Sequence, residues 1–311
     1  MLTTIFSKTK PINYLLIAFG LIIAFTFHVF FTPVETVSGY FIFQKSSILI
    51  LFLLSFFWTN FITQKNEISK SNNYALLVFL FITVLNPSVF IKINLVISSF
   101  FVILAFRRIV SLRTFKQTKQ KIFDASLLIL VASLFHFHAI FFLVLVFAAV
   151  FIYTSGTPKN LLIPFIAFIS VGTIYFGLDS FQDFQLINSL KSQMQFEISS
   201  FAFKDTISHV VFSLYAAFSI LVLIYGLISY PTKQLNTKGT YSLTFLYLVT
   251  GTLVYLLNPI RSNSVLIFTL VPVALLSANF IEEINKNGLK NAVLYTILLV
   301  SFFFFILQLN F

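Results

Sequence analysis

"FDASLLILVASLFHFHAIFFLVLVFAAVFIYTS", residues 123–155, carries one charge near its start, two histidines at its middle and neither glycine nor proline. It is either one very long helix or two short ones meeting at "HFH", and the choice sets the side of a membrane that every later loop faces. A single helix through about 32 residues would be about 48 Å long at 1.5 Å per residue, well beyond a hydrocarbon core of roughly 30 Å. Two helices of about 16 residues would each be slightly short for that core. Length alone leaves the choice open.

The surrounding chain establishes the membrane setting. Of 311 residues, 59% are apolar and only 9% charged, and the mean hydropathy is +0.98. A soluble domain carries roughly 25% charged residues. Apolar runs recur at 12–31, 46–62, 74–86, 89–106, 160–178, 207–229, 241–257, 264–280 and 291–309, on either side of the opening stretch. Most are long enough to cross the core as helices and too long for barrel strands of about 10 residues. The expected fold is an all-α polytopic transmembrane bundle of about 10–11 spans, one integral membrane domain over 1–311. The first run is too long for a signal-peptide core and lacks a small-x-small cleavage site, so it reads as a retained span. The 44 phenylalanines fit an AT-rich genome and are as acceptable to lipid as leucine.

Charge separates the two readings of 123–155. If the stretch turns at "HFH", the N-terminus is cytoplasmic and 15 of the 20 Lys and Arg residues lie inside, leaving Lys45, Lys92, Lys191, Lys204 and Arg261 outside. If it is one helix, every later loop flips and the split falls to 13 against 7. The positive-inside rule favours the hairpin. The same rule accounts for the net charge of +11 without nucleic acid as a partner.

Two segments between spans are more than simple loops. "RRIVSLRTFKQTKQK", residues 107–121, mixes four apolar residues with Arg107, Arg108, Arg113, Lys116, Lys119 and Lys121. That pattern suits a helix lying on an anionic cytoplasmic leaflet. Residues 179–205 place Phe181, Phe184, Leu186, Ile187, Leu190, Met194 and Ile198 at near-helical spacing, as in an amphipathic periplasmic loop. Asn86 with Pro87, and again Asn258 with Pro259, end spans, because proline lacks an N–H and disfavours a helical residue before it.

The chemistry available is narrow. The absence of cysteine excludes disulfides and thiolate chemistry, and the chain has no phosphate loop, dinucleotide fingerprint, HExxH or nucleophile elbow. Apart from Asp124, no acidic residue falls inside an apolar run, which argues against an ion-coupled transporter. His136 and His138, two apart, point to different sides of a helix: they either satisfy backbone at the turn or serve as an interfacial ligand or proton-transfer pair, and no metal site follows from them. On the outer face Glu35, Asp179, Asp183, Glu197 and Asp205 gather with Lys92 and Arg261. Cations beside carboxylates at a membrane surface are what an enzyme acting on a lipid-linked phosphate needs, Arg261 and Lys92 to hold the phosphate and Glu35 as base or metal ligand. The same residues also suit an ordinary polar loop. No cofactor is indicated.

"IFSKTKPINYLL", residues 5–16, and "RRIVSLRTFKQTKQKIFDASLLILVASLFHFHAIFFL", residues 107–143, resemble an uncharacterised family of Bacteroidota inner-membrane proteins. More distantly, a basic cytoplasmic loop, a pair of short spans and a long outer amphipathic loop look like type C glycosyltransferases and O-antigen-type polymerases. That resemblance implies a bacterial inner-membrane protein handling polyprenyl-linked glycan at its periplasmic face, with an acid in the first outer loop, where Glu35 is the matching position. The first outer loop is short and lacks a second acid. A non-catalytic subunit scaffolding a cell-envelope machine, of secretion or gliding type, is the alternative, so the sequence leaves open whether the chain is an enzyme. The lipid bilayer is the one partner common to all readings.

Overall fold

The computed structural model describes residues 2–32, 38–70, 72–181, 185–194, 205–259 and 262–309, and among these there is no β-strand. The helices are α1 (Leu2–Phe6), α2 (Pro11–Phe31), α3 (Gly39–Lys65), α4 (Tyr74–Leu85), α5 (Ile93–Val110), α6 (Thr118–Phe135), α7 (Leu143–Thr154), α8 (Pro158–Leu161), α9 (Ile163–Ser180), α10 (Gln185–Gln193), α11 (Thr206–Ser229), α12 (Leu235–Leu257), α13 (Ile267–Glu283) and α14 (Asn287–Leu309). Nine helical segments among the described residues are long and apolar enough to cross a membrane. Two further expected spans fall short of that standard. The 12 residues of α4 reach only about 18 Å, and α6 opens with Lys119, Lys121 and Asp124.

The opening stretch is two helices. His136 ends α6 in an extended conformation (φ −147°, ψ 105°), Phe137–Phe142 form a 3₁₀ turn, and α7 follows. No proline or glycine forces this break, so its backbone groups must be satisfied in other ways. The Ala132 carbonyl accepts from His136 N–H at 3.1 Å and from Ser98 Oγ at 2.9 Å, His136 O accepts from Ala139 N–H at 2.9 Å, and Phe137 N–H donates to Gln193 Oε1 at 3.3 Å. α6 and α7 then pack against each other.

The described residues cluster into two compact units. The first takes the chain to Val96 together with 203–233 and 262–311. Its centre is α13, whose residues from Ile267 to Ala278 are all buried, packed on α4 and α11. The second takes 97–202 and 234–261. Here α6 lies along α9, and α12 packs on α7 around Tyr247, whose fully buried ring meets Phe106 at 4.8 Å and Phe142 at 5.4 Å.

Several boundaries differ from the pattern in the sequence. α3 starts at Gly39, earlier than its apolar run, because Ser38 Oγ accepts from Phe41 N–H at 3.2 Å and caps the helix. α5 starts later, at Ile93, because the chain after Asn86 runs through a 3₁₀ turn, Pro87–Phe90. The basic segment 107–121 forms no separate helix. It is divided among the last turn of α5, a 3₁₀ turn at Ser111–Thr114, a bend with Phe115 and Gln117 in left-handed conformation, and the first turn of α6. Within the stretch 179–205, the described residues include the helix α10.

Candidate functional site

The two Asn–Pro breaks differ in what surrounds them, and the first is built into the core of its unit. Asn86 is fully buried; its Nδ2 donates to the Asn263 carbonyl at 2.8 Å, and its Oδ1 accepts from Ser88 Oγ at 2.7 Å. Asn263 in turn donates from Nδ2 to the Ser208 carbonyl at 3.0 Å. The 3₁₀ turn after Asn86 therefore packs on the 3₁₀ turn Asn263–Leu266 that leads into α13. Phe90 anchors the pair, with Phe52 at 4.7 Å, Phe25 at 5.2 Å and the His28 ring at 5.8 Å. Non-helical backbone this deep in an apolar bundle persists only where protein buries it or where it lines a cavity.

Two polar atoms in this cluster lack a hydrogen-bond partner among the described residues: Oδ1 of Asn263 and Nε2 of His28. Both side chains are more than nine-tenths buried, at 6% and 8% exposure. A buried acceptor left unpaired costs about 1–3 kcal/mol, so such atoms mark places where a ligand group fits. Lys45 lies within electrostatic range of His28, and Lys92 is exposed at the entry to α5. The amino end of α13, with its partial positive charge, begins here. The arrangement offers an amide oxygen and an imidazole nitrogen to pair with hydroxyls, beside positive charge for an anion.

The opposite end of the same unit is also polar but internally paired. Glu282 accepts from Asn72 Nδ2, and Glu283 accepts from the Tyr225 hydroxyl and from Lys233 Nζ at 2.5 Å. Lys290 Nζ reaches the Glu282 carbonyl at 3.2 Å. Two carboxylates at a helix carboxyl end oppose its dipole, and these lysines offset that cost. The first residues are strapped on here: Asn13 Nδ2 donates to the Ile5 and Lys8 carbonyls at 2.7 and 3.0 Å, and Asn73 N–H donates to Phe6 O at 3.1 Å. This end reads as a structural clamp.

Of the residues singled out from sequence, Glu35 and Arg261 lie outside the described residues, as do Asp183 and Glu197. Lys92 falls in the first unit, while His136 and His138 fall in the second, at the hairpin turn, with ring centroids 5.4 Å apart and His138 buried. No group of three or more His, Cys, Asp or Glu side chains close enough to hold a metal occurs among the described residues. The sequence marks Asn86 only as a helix breaker and does not single out Asn263 or His28. The signal available was the recurrence of Asn, Ser and Val in "NPSVF" and "NSVL", which form the two paired turns.

The chain belongs to a family described only as a family of unknown function, DUF6427, whose match covers residues 1–310. No curated protein and no solved structure matches it.

Proposed function

We propose that this member of a family of unknown function is a multi-pass protein of the bacterial inner membrane that handles lipid-linked glycan at its periplasmic face, in the manner of a divergent glycosyltransferase or polymerase. The observation that carries the reading is the pair of buried, unpartnered atoms, Asn263 Oδ1 and His28 Nε2, set around the Asn86 turn. Polar and ionisable groups at membrane depth are costly, and those kept there often mark substrate paths. Sugar hydroxyls, which both donate and accept, pair with an amide oxygen and with either form of an imidazole nitrogen, and Lys45, Lys92 and the amino end of α13 supply charge for a phosphate. With the N-terminus cytoplasmic and α2, α3 and α4 each crossing once, this end of the unit faces outward. In this reading Arg261 grips the phosphate through a bidentate fork and Glu35 is the base or metal ligand.

Purification from native membranes tests the proposal directly. A polyprenyl-linked glycan or polyprenyl phosphate should co-purify with the protein; a stoichiometric protein partner and no such lipid would favour the scaffold instead. In a complementation assay, Glu35→Gln and Arg261→Lys should each abolish function at normal membrane abundance, because neither removes packing volume. Wild-type behaviour of both would overturn the catalytic reading, since ordinary surface changes shift stability by only about 0.5 kcal/mol.

A further inference from the structure

We propose that the end of the second unit where α5 and α7 finish and α12 begins holds a phosphate group, that of a phospholipid head, between the Tyr153 hydroxyl and the Arg113 guanidinium. This site is independent of the glycan reading, because every residue in it lies in the second unit. Two hydroxyls there lack a hydrogen-bond partner among the described residues, Tyr153 Oη and Thr240 Oγ1. Thr240 is fully buried. The Tyr153 hydroxyl stands against its neighbour Gly239, where an added Cβ would lie 2.9 Å from the oxygen. The other buried threonines of α12, Thr237, Thr244 and Thr250, each give their hydroxyl to a main-chain carbonyl of the helix or its cap, at 2.9, 2.8 and 2.9 Å. Thr240 makes no such bond, and its side chain lies close enough to act on Tyr153 instead. A hydroxyl both donates and accepts, so Thr240 can donate to Tyr153 and leave the tyrosine proton for an acceptor outside the pair.

Charge makes that acceptor an anion. Arg113 sits on the 3₁₀ turn Ser111–Thr114, which packs on α7, and its charge reaches the Tyr153 hydroxyl. Lys121 pins this bend, and Phe115 at its apex meets the Tyr153 ring edge-on at 6.5 Å. The amino end of α12 adds partial positive charge, with no side-chain cap from Gln234; Gly239 is only about 6 Å along the axis from the first residue of that helix. Asp124, the one acidic residue on α5, α6, α7 and α12, is paired with Arg108 at 3.2 Å. Depth and surroundings make the anion a lipid phosphate. Tyr153 lies in the last turn of one candidate span and Thr240 in the second turn of another, the level of a bilayer's head groups. Phe151, Ile152 and Leu235 beside them are exposed, an apolar surface that suits acyl chains and that a free anion would not use. Tyr153 is only part-buried, so a turn of its ring carries the hydroxyl to a phosphate at the bend.

The full-length protein in a neutral detergent, titrated with phosphatidylglycerol and separately with diacylglycerol under native mass spectrometry, tests this, with inorganic phosphate added as a competitor. The wild type should hold phosphatidylglycerol and not diacylglycerol, and inorganic phosphate should fail to displace the lipid. Tyr153→Phe and Arg113→Gln should each weaken binding about tenfold, and Thr240→Val about threefold, while Thr240→Ser, which restores the hydroxyl, binds as the wild type does. Gly239→Ala, which pushes the Tyr153 hydroxyl aside, should also weaken it. Lys116→Gln, which removes an exposed charge from the same bend, should change binding by less than about twofold. If Arg113→Gln fails to fold, the two hydroxyl variants carry the test, since they keep the side-chain volume. Unchanged binding in Tyr153→Phe and Thr240→Val overturns the site, as does a loss in Lys116→Gln equal to that in Arg113→Gln, which would show a basic surface and no more. Equal binding of diacylglycerol removes the phosphate from the account, and displacement by inorganic phosphate overturns the lipid as its source.

Discussion

Asn86 joins segments far apart in sequence, since its amide holds the Asn263 carbonyl at 2.8 Å from a fully buried position. Leucine keeps the branching but is larger, and it leaves the Asn263 carbonyl and the Ser88 hydroxyl without the partners that Asn86 gives them. Asn86→Leu is expected to cost about 1–3 kcal/mol, read as a lower thermal midpoint of the purified protein; an unchanged midpoint would mean the turn pairing carries no weight. Asn263→Leu should lose less, because the unpaired Oδ1 disappears with the amide it belongs to, and it should weaken lipid-head binding more than it weakens the fold. The pairing left only the repeated Asn, Ser and Val of the two turns in the sequence, which says nothing of contact between them. The break at Asn86 was legible, because Pro87 imposes it, but a contact spanning 177 positions leaves no periodic trace in one chain. The Asn72 and Glu282 contact, 210 positions apart, was hidden for the same reason.

At the scale of elements, apolar runs located every long helix, and their ends were read less well where capping or 3₁₀ turns shifted them. The "HFH" break was legible only through length and charge, because no residue there forbids a helix. The segment 107–121 shows the limit of pattern reading. Its mixture of four apolar and six basic residues suggests a surface helix, yet Lys121 Nζ bonds the Ser111 carbonyl and Thr114 Oγ1, both at 2.7 Å, and folds the segment into a tight connection. Phe115 stands 67% exposed at the left-handed apex of that bend, among the cations. Basic side chains with an exposed aromatic still suit an anionic leaflet. Replacing Arg113, Lys116 and Lys119 by glutamate, while sparing Lys121, should remove three attractions of about 1 kcal/mol each and weaken the orientation of the flanking spans. Membrane abundance and the fraction correctly inserted, measured by protease protection, should fall; no change in either would show that these charges are idle. Arg108 with Asp124, at 3.2 Å and partly exposed, is worth at most about 1 kcal/mol, so Asp124→Asn should be nearly silent in the same assay.

For the molecule as a whole, the functional reading stands on sidedness: the end that carries Asn86 and Asn263 faces outward only if the N-terminus is cytoplasmic and α6 and α7 cross separately. The chain has no cysteine, so single cysteines can be labelled without background. Lys92→Cys, Lys116→Cys, Lys191→Cys and Lys238→Cys, treated in turn with a membrane-impermeant maleimide, give the most direct measurement. In cells whose host membrane for the protein is intact, positions 92 and 191 should label, and 116 and 238 should label only after that membrane is permeabilised. Labelling of 238 with protection of 191 would mean that 123–155 crosses once, and labelling of 116 with protection of 92 would turn the polar turns to the cytoplasm, contradicting the account.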